Sequence, residues 1–360
     1  MMRGTVIATL RCSHDVGAIA VNCAGSIHGV SFAFSGILLP KTIASIDKSI
    51  YEILNYISKQ RSDVVEASFV GFVNGDIVRL GNELEFEVLH RGRERVLRVY
   101  TSGIRKHVGD VYVNARAVIP SIVGFADSVA KPVKGRVNED SVIVVGFRYC
   151  SGSDVARLVI GVVADGVSSL GQGYMASSEA VKSFVSGIAK VSYLNEFLNE
   201  QLALEVFDST SDHVHKLNKV KGVTSATTFT TFLYPVNSKA LIIHVGDTRL
   251  YVSRSRSREV VLVSEDHRVP GTNVLTKAIG LDLVEPMHRQ IDFNVGDTAI
   301  LMSDGIYSVI DMAKVMKVIT RFKNVTLAIN RVLSMARSAG LRDDASIAVI
   351  RALHGRGLRR

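Results

Sequence analysis

Four apolar, β-branched segments of this 360-residue chain each carry an aspartate at one end. The segments are LVIGVVADG, ALIIHVGDTRLYV, TAILMSDG and DDASIAVIRA, and their aspartates are Asp165, Asp247, Asp304 and Asp343. The stretch NEDS adds two more carboxylates, Glu139 and Asp140. Because strand ends are rigid, carboxylates that converge there repel one another unless a cation neutralises them. The pattern therefore predicts a cation site.

The residue types around these aspartates indicate which cation would bind. Carboxylates with no nearby Cys or paired His favour Mg²⁺ or Mn²⁺ over zinc. Gly166 follows Asp165 directly, and without a Cβ its backbone carbonyl can approach a metal closely. One Asp-Gly pair is typical of a tight turn, so the prediction depends on the whole ordered set of acidic segments.

The elements that must position these carboxylates follow from hydrophobic periodicity. Each apolar segment predicts a strand, and helices are predicted at 174–191, 194–218, 311–319 and 324–338. Strands grouped with paired helices favour an α+β layered domain over strict βαβ alternation.

The first part of the chain has its own pattern. Short strands are predicted within 4–38 and 65–118, and isoleucines spaced by three and four predict an amphipathic helix within 41–59. Pro120 offers a boundary, so we predict an N-terminal region of unknown role at 1–119, a main domain at 120–353 and a basic tail at 354–360.

Composition limits the function classes. Forty-three Lys and Arg against 34 Asp and Glu give a net charge of +9, but the basic runs are short and lack interleaved aromatics, so no nucleic-acid partner is predicted. Three cysteines without a C-x-x-C pattern favour a reduced, cytoplasmic protein. No apolar run of transmembrane length occurs, and no membrane association is predicted.

The ordered motifs RVNED, VADG, HVGDTRLY, SEDH, GDTAILMSDG and RDDASIAV resemble the metal-dependent, type 2C family of Ser/Thr protein phosphatases over residues 120–353. The resemblance implies a four-layer α-β-β-α sandwich of two antiparallel sheets flanked by helix pairs, beside a smaller mixed α/β N-terminal region. It implies phosphorylated Ser/Thr proteins as substrates, a cognate protein kinase as the opposing enzyme, and two, or with a labile site three, Mn²⁺ or Mg²⁺ ions.

The resemblance also implies roles for individual residues. Asp165 would bridge two metals, Gly166 would offer its carbonyl, and Asp247 would belong to the labile third site. The remaining implied metal positions are Glu139, Asp140, Asp304 and Asp343. Catalysis would proceed by direct attack of a metal-bridging hydroxide on phosphorus, with Asp165 and Asp304 as catalytic residues.

Three departures from the family pattern are visible. Gly135 stands where the family usually places a phosphate-binding arginine, so Arg136 is the candidate for that role. Val167, Ser168 and Ser169 replace a His or Met followed by Gly-Gly, which removes a general-acid histidine. A short RVPGT segment after His267 replaces the longer flap of relatives.

Two other interpretations compete. GQGYMA, at 171–176, fits the G-x-G-x-x-A dinucleotide fingerprint, but it lies too far after the strand, and we interpret it as a turn into a helix. A catalytically weak or inactive pseudophosphatase that binds phosphoproteins is the alternative to an enzyme, and the Gly135 and Val167 departures motivate it.

Overall fold

The computed structural model describes most of the chain, and two antiparallel sheets of nine strands each dominate it. The described residues are 4–12, 30–37, 64–73, 76–80, 84–92, 94–101, 105, 107–112, 116–119, 122–133, 137–151, 154–194 and 198–353. Helices cover the outer faces of the two packed sheets, so the predicted four-layer α+β architecture is confirmed. The helix predicted within 41–59 and the basic tail lie outside the described residues.

The first sheet consists of strands that are all antiparallel to their neighbours. In spatial order they are β16 (Met287–Ile291), β13 (Ala240–Val245), β12 (Phe229–Pro235), β11 (Asp154–Ala164), β10 (Ser141–Ser151), β2 (Val30–Ile37), β1 (Gly4–Cys12), β3 (Val64–Val73) and β4 (Asp76–Leu80).

The second sheet has the same antiparallel arrangement. In spatial order its strands are β15 (Val260–Leu262), β14 (Arg249–Ser253), β17 (Thr298–Met302), β18 (Ala345–Ala352), β9 (Ile122–Val129), β8 (Arg116–Ile119), β7 (His107–Tyr112), β6 (Glu94–Thr101) and β5 (Leu84–Arg91).

The helices lie in two groups. On the first sheet are the 3₁₀ helix η1 (Ser168–Leu170) and helices α1 (Gly173–Leu194) and α2 (Glu200–Lys221). On the second sheet are α3 (Asp304–Tyr307), α4 (Met312–Arg321) and α5 (Val325–Ser338). Asparagine side chains cap two of these helices. The Asn199 side chain accepts the Leu202 amide at the start of α2, and the Asn324 side chain accepts backbone amides at the start of α5. All four helices predicted after residue 120 are present.

Three apolar layers hold this stack together, and strand alternation creates them. Val142 and Val144 of β10 pack between the two sheets, whereas Ile143 and Val145 point to the helices of the first sheet. A third cluster joins α4 and α5 to the second sheet and includes the fully buried Ile329. The sandwich therefore gives the strand ends a rigid frame.

The N-terminal strands continue both sheets. β2 pairs with β10 in the first sheet, and β8 pairs with β9 in the second. Strands β9 and β10 therefore lie inside the sheets rather than at their edges. No helix among the described residues is both long and apolar enough to cross a membrane.

Candidate metal centre

Strand register brings the first two predicted carboxylates together. Ser141 of β10 lies opposite Ala164 of β11, so Asp140, just before β10, and Asp165, just after β11, meet at one end of the first sheet. Asp140 is 1% exposed, and its backbone amide donates to Asn138 at 2.9 Å. The hairpin thus places two acids side by side on a rigid frame.

Asp247 lies at the same end of the first sheet, shortly after β13, and hydrogen bonds near the start of β12 connect it to Asp165. The Asp165 amide donates to Thr228 Oγ1 at 2.9 Å, and this hydroxyl pairs with Thr248 Oγ1 at 2.7 Å. The turn before Asp247 requires glycine, because Gly246 has φ +99° and a Cβ there would lie 2.6 Å from Thr228 Cβ. The HVGDT segment therefore holds Asp247 beside Asp165.

The second sheet supplies Asp304 and Asp343. Met302 of β17 pairs with Ile347 of β18, so the end of β17 and the start of β18 lie at the same edge, next to Asp304 and Asp343. Ser303 connects the sheets, because its Oγ donates to Asp140 Oδ2 at 2.9 Å. Carboxylates from both sheets consequently meet at one end of the sandwich.

The pKa values of the acids reflect their burial and the short distances between their carboxylates. Burial raises the pKa of Asp165 well above its usual range, and the charges of Asp140, Asp304, Asp247 and Asp343 raise it further. Burial, reinforced by the charges of Asp247 and Asp343, raises the pKa of Asp304 to about 6. Burial first, and then Asp344, likewise raises the pKa of Asp140. Deprotonation of the cluster requires a compensating cation.

Two buried carboxylate oxygens lack hydrogen-bond partners, which is relevant to whether a divalent cation fits the site. Asp140 Oδ1 and Asp304 Oδ1 are buried and accept no hydrogen bond, although buried polar atoms in proteins normally have a partner. Among the described residues, the His, Cys, Asp and Glu side chains as placed form no group of three that could hold a metal ion, so the acids are neighbours and do not form a coordination shell. Hard, unpaired carboxylate oxygens fit Mg²⁺ or Mn²⁺.

Glu139 and Gly166 lie next to the start of α1. Glu139 Oε1 accepts the Gly173 amide at 3.1 Å, at the positive end of the helix. A Cβ on Gly166 would lie 2.4 Å from the Gly173 backbone carbon and 2.6 Å from the Glu139 carbonyl oxygen. The second glycine of GQGYMA is therefore a packing glycine, and Gly171 ends η1 in a left-handed conformation, as the turn interpretation predicted.

Asp344 is a structural carboxylate that sequence reasoning missed. It is 2% exposed, and its two oxygens accept the backbone amides of Lys131 and Glu139, each at 2.7 Å. It therefore ties the segment that carries Glu139 and Asp140 to the start of β18. The only sequence signal was its place in the Asp-Asp pair that directly precedes a strand.

A second group that the sequence did not predict lies beside the acids and contains two arginines, an aspartate and a tyrosine. Arg249 forms a bidentate pair with Asp266, at 3.1 and 2.8 Å, and lies 4.0 Å over the Tyr307 ring. Arg268 Nη2 lies 3.2 Å from Asp266 Oδ2, and its Nη1 lies 3.7 Å from Asp247 Oδ2. Arg268 also lowers the pKa of Asp304, so it carries positive charge to the acidic cluster.

The structure does not place every predicted residue. Arg136 and its neighbour Gly135 lie outside the described residues. His267 accepts the Gly246 amide through Nδ1 at 3.2 Å, and its ring lies 5.0 Å from that of buried His244. The two rings pack under the HVGDT turn, and burial lowers the pKa of both.

A cleft of about 670 Å³ opens beside the acidic cluster. Asp165, Asp247, Asp304 and Asp343 line its acidic end. One wall is the segment from Gly166 to Leu170, and the other is formed by residues 273–278 and 281–285. The RVPGT segment is a tight turn in which the Val269 amide donates to the Val274 carbonyl at 2.9 Å, and it leads directly into the wall that begins at residue 273.

Comparison with known proteins identifies this arrangement. The family described as Protein phosphatase 2C matches residues 133–339. A curated relative, the protein phosphatase PhpP of Streptococcus pneumoniae, is 22% identical over 210 residues, which cover 52% of this chain and 84% of the relative.

Solved structures share the fold. The PPM Ser-Thr phosphatase MsPP from Mycobacterium smegmatis, solved in complex with cacodylate, aligns with a TM-score of 0.52 and 23% identity over 64% of this chain and 98% of its own. The catalytic domain of the serine threonine protein phosphatase PstP, in complex with 2 manganese ions, aligns with a TM-score of 0.53 and 18% identity over 65% of this chain and 99% of its own.

Proposed function

This chain belongs to the protein phosphatase 2C family, and on that premise we propose that it hydrolyses phosphoserine and phosphothreonine in proteins with the help of divalent cations. One observation carries the proposal: Asp165, Asp247, Asp304 and Asp343, which come from both sheets, together line one end of the cleft. Acids that face one another so closely at the mouth of a cleft mark a functional site. The manganese ions of PstP support the choice of cation.

The residues that would hold the cations are the carboxylates that line the acidic end of the cleft. Asp165, Asp304 and Asp343 would bind the principal ions with the Gly166 carbonyl, Asp247 would serve a more labile ion, and Glu139 and Asp140 would orient water. Bound divalent cations supply Lewis-acid activation of water and neutralise charge on the phosphoryl oxygens.

Neighbouring side chains hold the acidic residues in position. Ser303 fixes Asp140 by donating to its Oδ2, which leaves the buried Oδ1 without a hydrogen-bond partner. Asp344 holds Glu139 and Lys131 through their amides. Arg268, whose side chain is 28% exposed, can turn from Asp247 to a phosphoryl oxygen, because a guanidinium binds phosphate in a fork.

A pseudophosphatase is the second candidate, and Val167 favours it. Its apolar side chain lines the cleft at a position where many family members have a His or Met, so leaving-group protonation would depend on another donor. Such a protein would bind phosphopeptides through the same cleft without turning them over.

Hydrolysis of a phosphothreonine peptide separates the two functions. We expect phosphate release with Mn²⁺ or Mg²⁺ and none with EDTA, because the carboxylates need a counter-cation. Peptide binding without turnover under any metal would support the pseudophosphatase. Turnover that is indifferent to EDTA would contradict the metal centre.

Arg268→Gln tests the phosphate-binding role of this arginine. Loss of one charge-assisted hydrogen bond is expected to raise KM for the phosphopeptide, and the inhibition constant of inorganic phosphate, about tenfold. Arg268→Lys should recover part of the loss, whereas Arg289→Gln, at an exposed position on β16 and without the contact that Arg268 makes with Asp247, should have no effect. Phosphate inhibition that is equal in the wild type and Arg268→Gln would exclude the role.

A further inference from the structure

The cleft continues beyond the acidic cluster into an apolar part. Val274, Leu281 and Leu283 line it and are 61%, 45% and 77% exposed. Leu170 and Val167 lie on the opposite wall. Large apolar side chains exposed together along a concave surface are typical of a binding site, and this surface begins where the carboxylates end.

The framework beneath this apolar wall is well fixed. Thr227 bridges the segment after β11 to Ile279, with hydrogen bonds of 3.0 and 2.9 Å in the two directions. Lys277 Nζ donates to the Glu285 carbonyl at 3.0 Å and so closes the 277–285 loop. The apolar side chains therefore project from an ordered loop into the cleft.

The size and chemistry of the cleft indicate its occupant. A volume of about 670 Å³ lies in the range that buries ligands much larger than a phosphoryl group. Asp282 and Glu285 at the apolar end disfavour acidic groups there. Because the acidic cluster and the apolar residues line the same cleft, a peptide whose phosphoryl group lies at the cluster can place a neighbouring side chain on the apolar part.

We propose that this apolar part of the cleft binds a bulky hydrophobic side chain next to the phosphorylated residue, and thereby selects phosphopeptides with Leu, Ile, Met or Phe close to the phosphosite. The proposal rests on the proposed phosphatase function and names its substrate class. Val274 and Leu283 are the specificity-determining residues, because they are the most exposed apolar groups of the wall.

A peptide panel tests the preference. The probe is a phosphothreonine peptide with alanine at all flanking positions, beside versions with one leucine at position −2, −1, +1 or +2. Because burial of apolar surface is favourable, partial burial of the leucine side chain should raise kcat/KM about tenfold at one or two positions. Leu283→Ser and Val274→Ser should bring the leucine-to-alanine ratio close to one.

Leu327→Ser provides the matched control. Leu327 is 54% exposed on α5 and does not line the cleft, so this variant should retain the wild-type ratio. Since all three substituted residues are exposed, loss of folding is not expected, and circular dichroism checks it.

Each outcome has a distinct meaning. A ratio near one for every leucine peptide with the wild-type enzyme would overturn the proposal while leaving the phosphatase function intact. Failure to hydrolyse any peptide with any metal would instead remove the phosphatase function itself. A serine variant that keeps the leucine preference but changes the sedimentation coefficient would show that a second copy of the chain covers the wall, and would also overturn the proposal.

Discussion

Asp165→Asn is expected to lower kcat/KM for a phosphothreonine peptide by at least about a thousandfold. Asp165 lies near Asp140, Asp247, Asp304 and Asp343, whose charges all raise its pKa. An amide keeps its shape but supplies no negative charge, so cation binding and water activation should both fail. Steady-state kinetics with saturating Mn²⁺ measures the loss.

The same variant should not damage the fold. Removal of one repelling carboxylate lowers the electrostatic cost of the metal-free cluster, so the melting temperature without metal should stay equal or rise. Addition of Mn²⁺ should raise the melting temperature of the wild type much more than that of Asp165→Asn. Asp208→Asn, exposed on α2, serves as the control and should behave as wild type. Activity of Asp165→Asn within tenfold of wild type would contradict the assigned role.

Gly305→Ala should have the largest effect on stability. A Cβ on Gly305 would lie 2.0 Å from the Asp344 carbonyl oxygen and 3.0 Å from Ala345 Cα, and both are backbone atoms that cannot move aside cheaply. We expect a loss of about 3 kcal/mol in the free energy of unfolding. Because α3 must move away from β18, Asp304 should be displaced and metal affinity should fall as well.

Gly340→Ala separates this clash from ordinary glycine effects. Gly340 has φ +84° and no atom within 4 Å of an added Cβ, so the substitution costs only about 1 to 2 kcal/mol of left-handed backbone strain. Urea denaturation of both variants gives the comparison. Equal losses for the two would show that the close approach of α3 to β18 is not essential.

The sequence predicted the aspartates because each ends an apolar segment. The strand ends at Asp165 and Asp304 are local features, visible from alternation and the Asp-Gly pair. The roles of Asp344 and Arg268 could not be predicted in this way. Asp344 accepts hydrogen bonds from the amides of Lys131 and Glu139, more than 200 residues earlier. Arg268 reaches Asp247 because the amide of its neighbour His267 donates to the Gly246 carbonyl.

The N-terminal strands show the same limit. Their alternation predicted strands, but strand pairing depends on register between distant segments, which no local pattern contains. The structure pairs β2 with β10 and β8 with β9, so residues before 120 buttress the sheets that carry the site. Removal of 1–119 would therefore leave β9 and β10 as open sheet edges.

We propose that carboxylates from both sheets form a divalent-cation site. Calorimetric titration of Mn²⁺ into the metal-free full chain tests it, at about pH 7.5 and about pH 5.5, because an ion must displace protons from its ligands. Burial and the charges of Asp247 and Asp343 raise the pKa of Asp304 to about 6, so this carboxyl is mostly ionised at the higher pH and protonated at the lower.

We therefore predict binding of about two ions per chain at the higher pH, weaker binding and greater proton release at the lower pH, and loss of binding in Asp165→Asn. Absence of binding at about millimolar Mn²⁺, far above the concentrations at which a functional site should fill, or equal binding by the wild type and Asp165→Asn, would contradict the account.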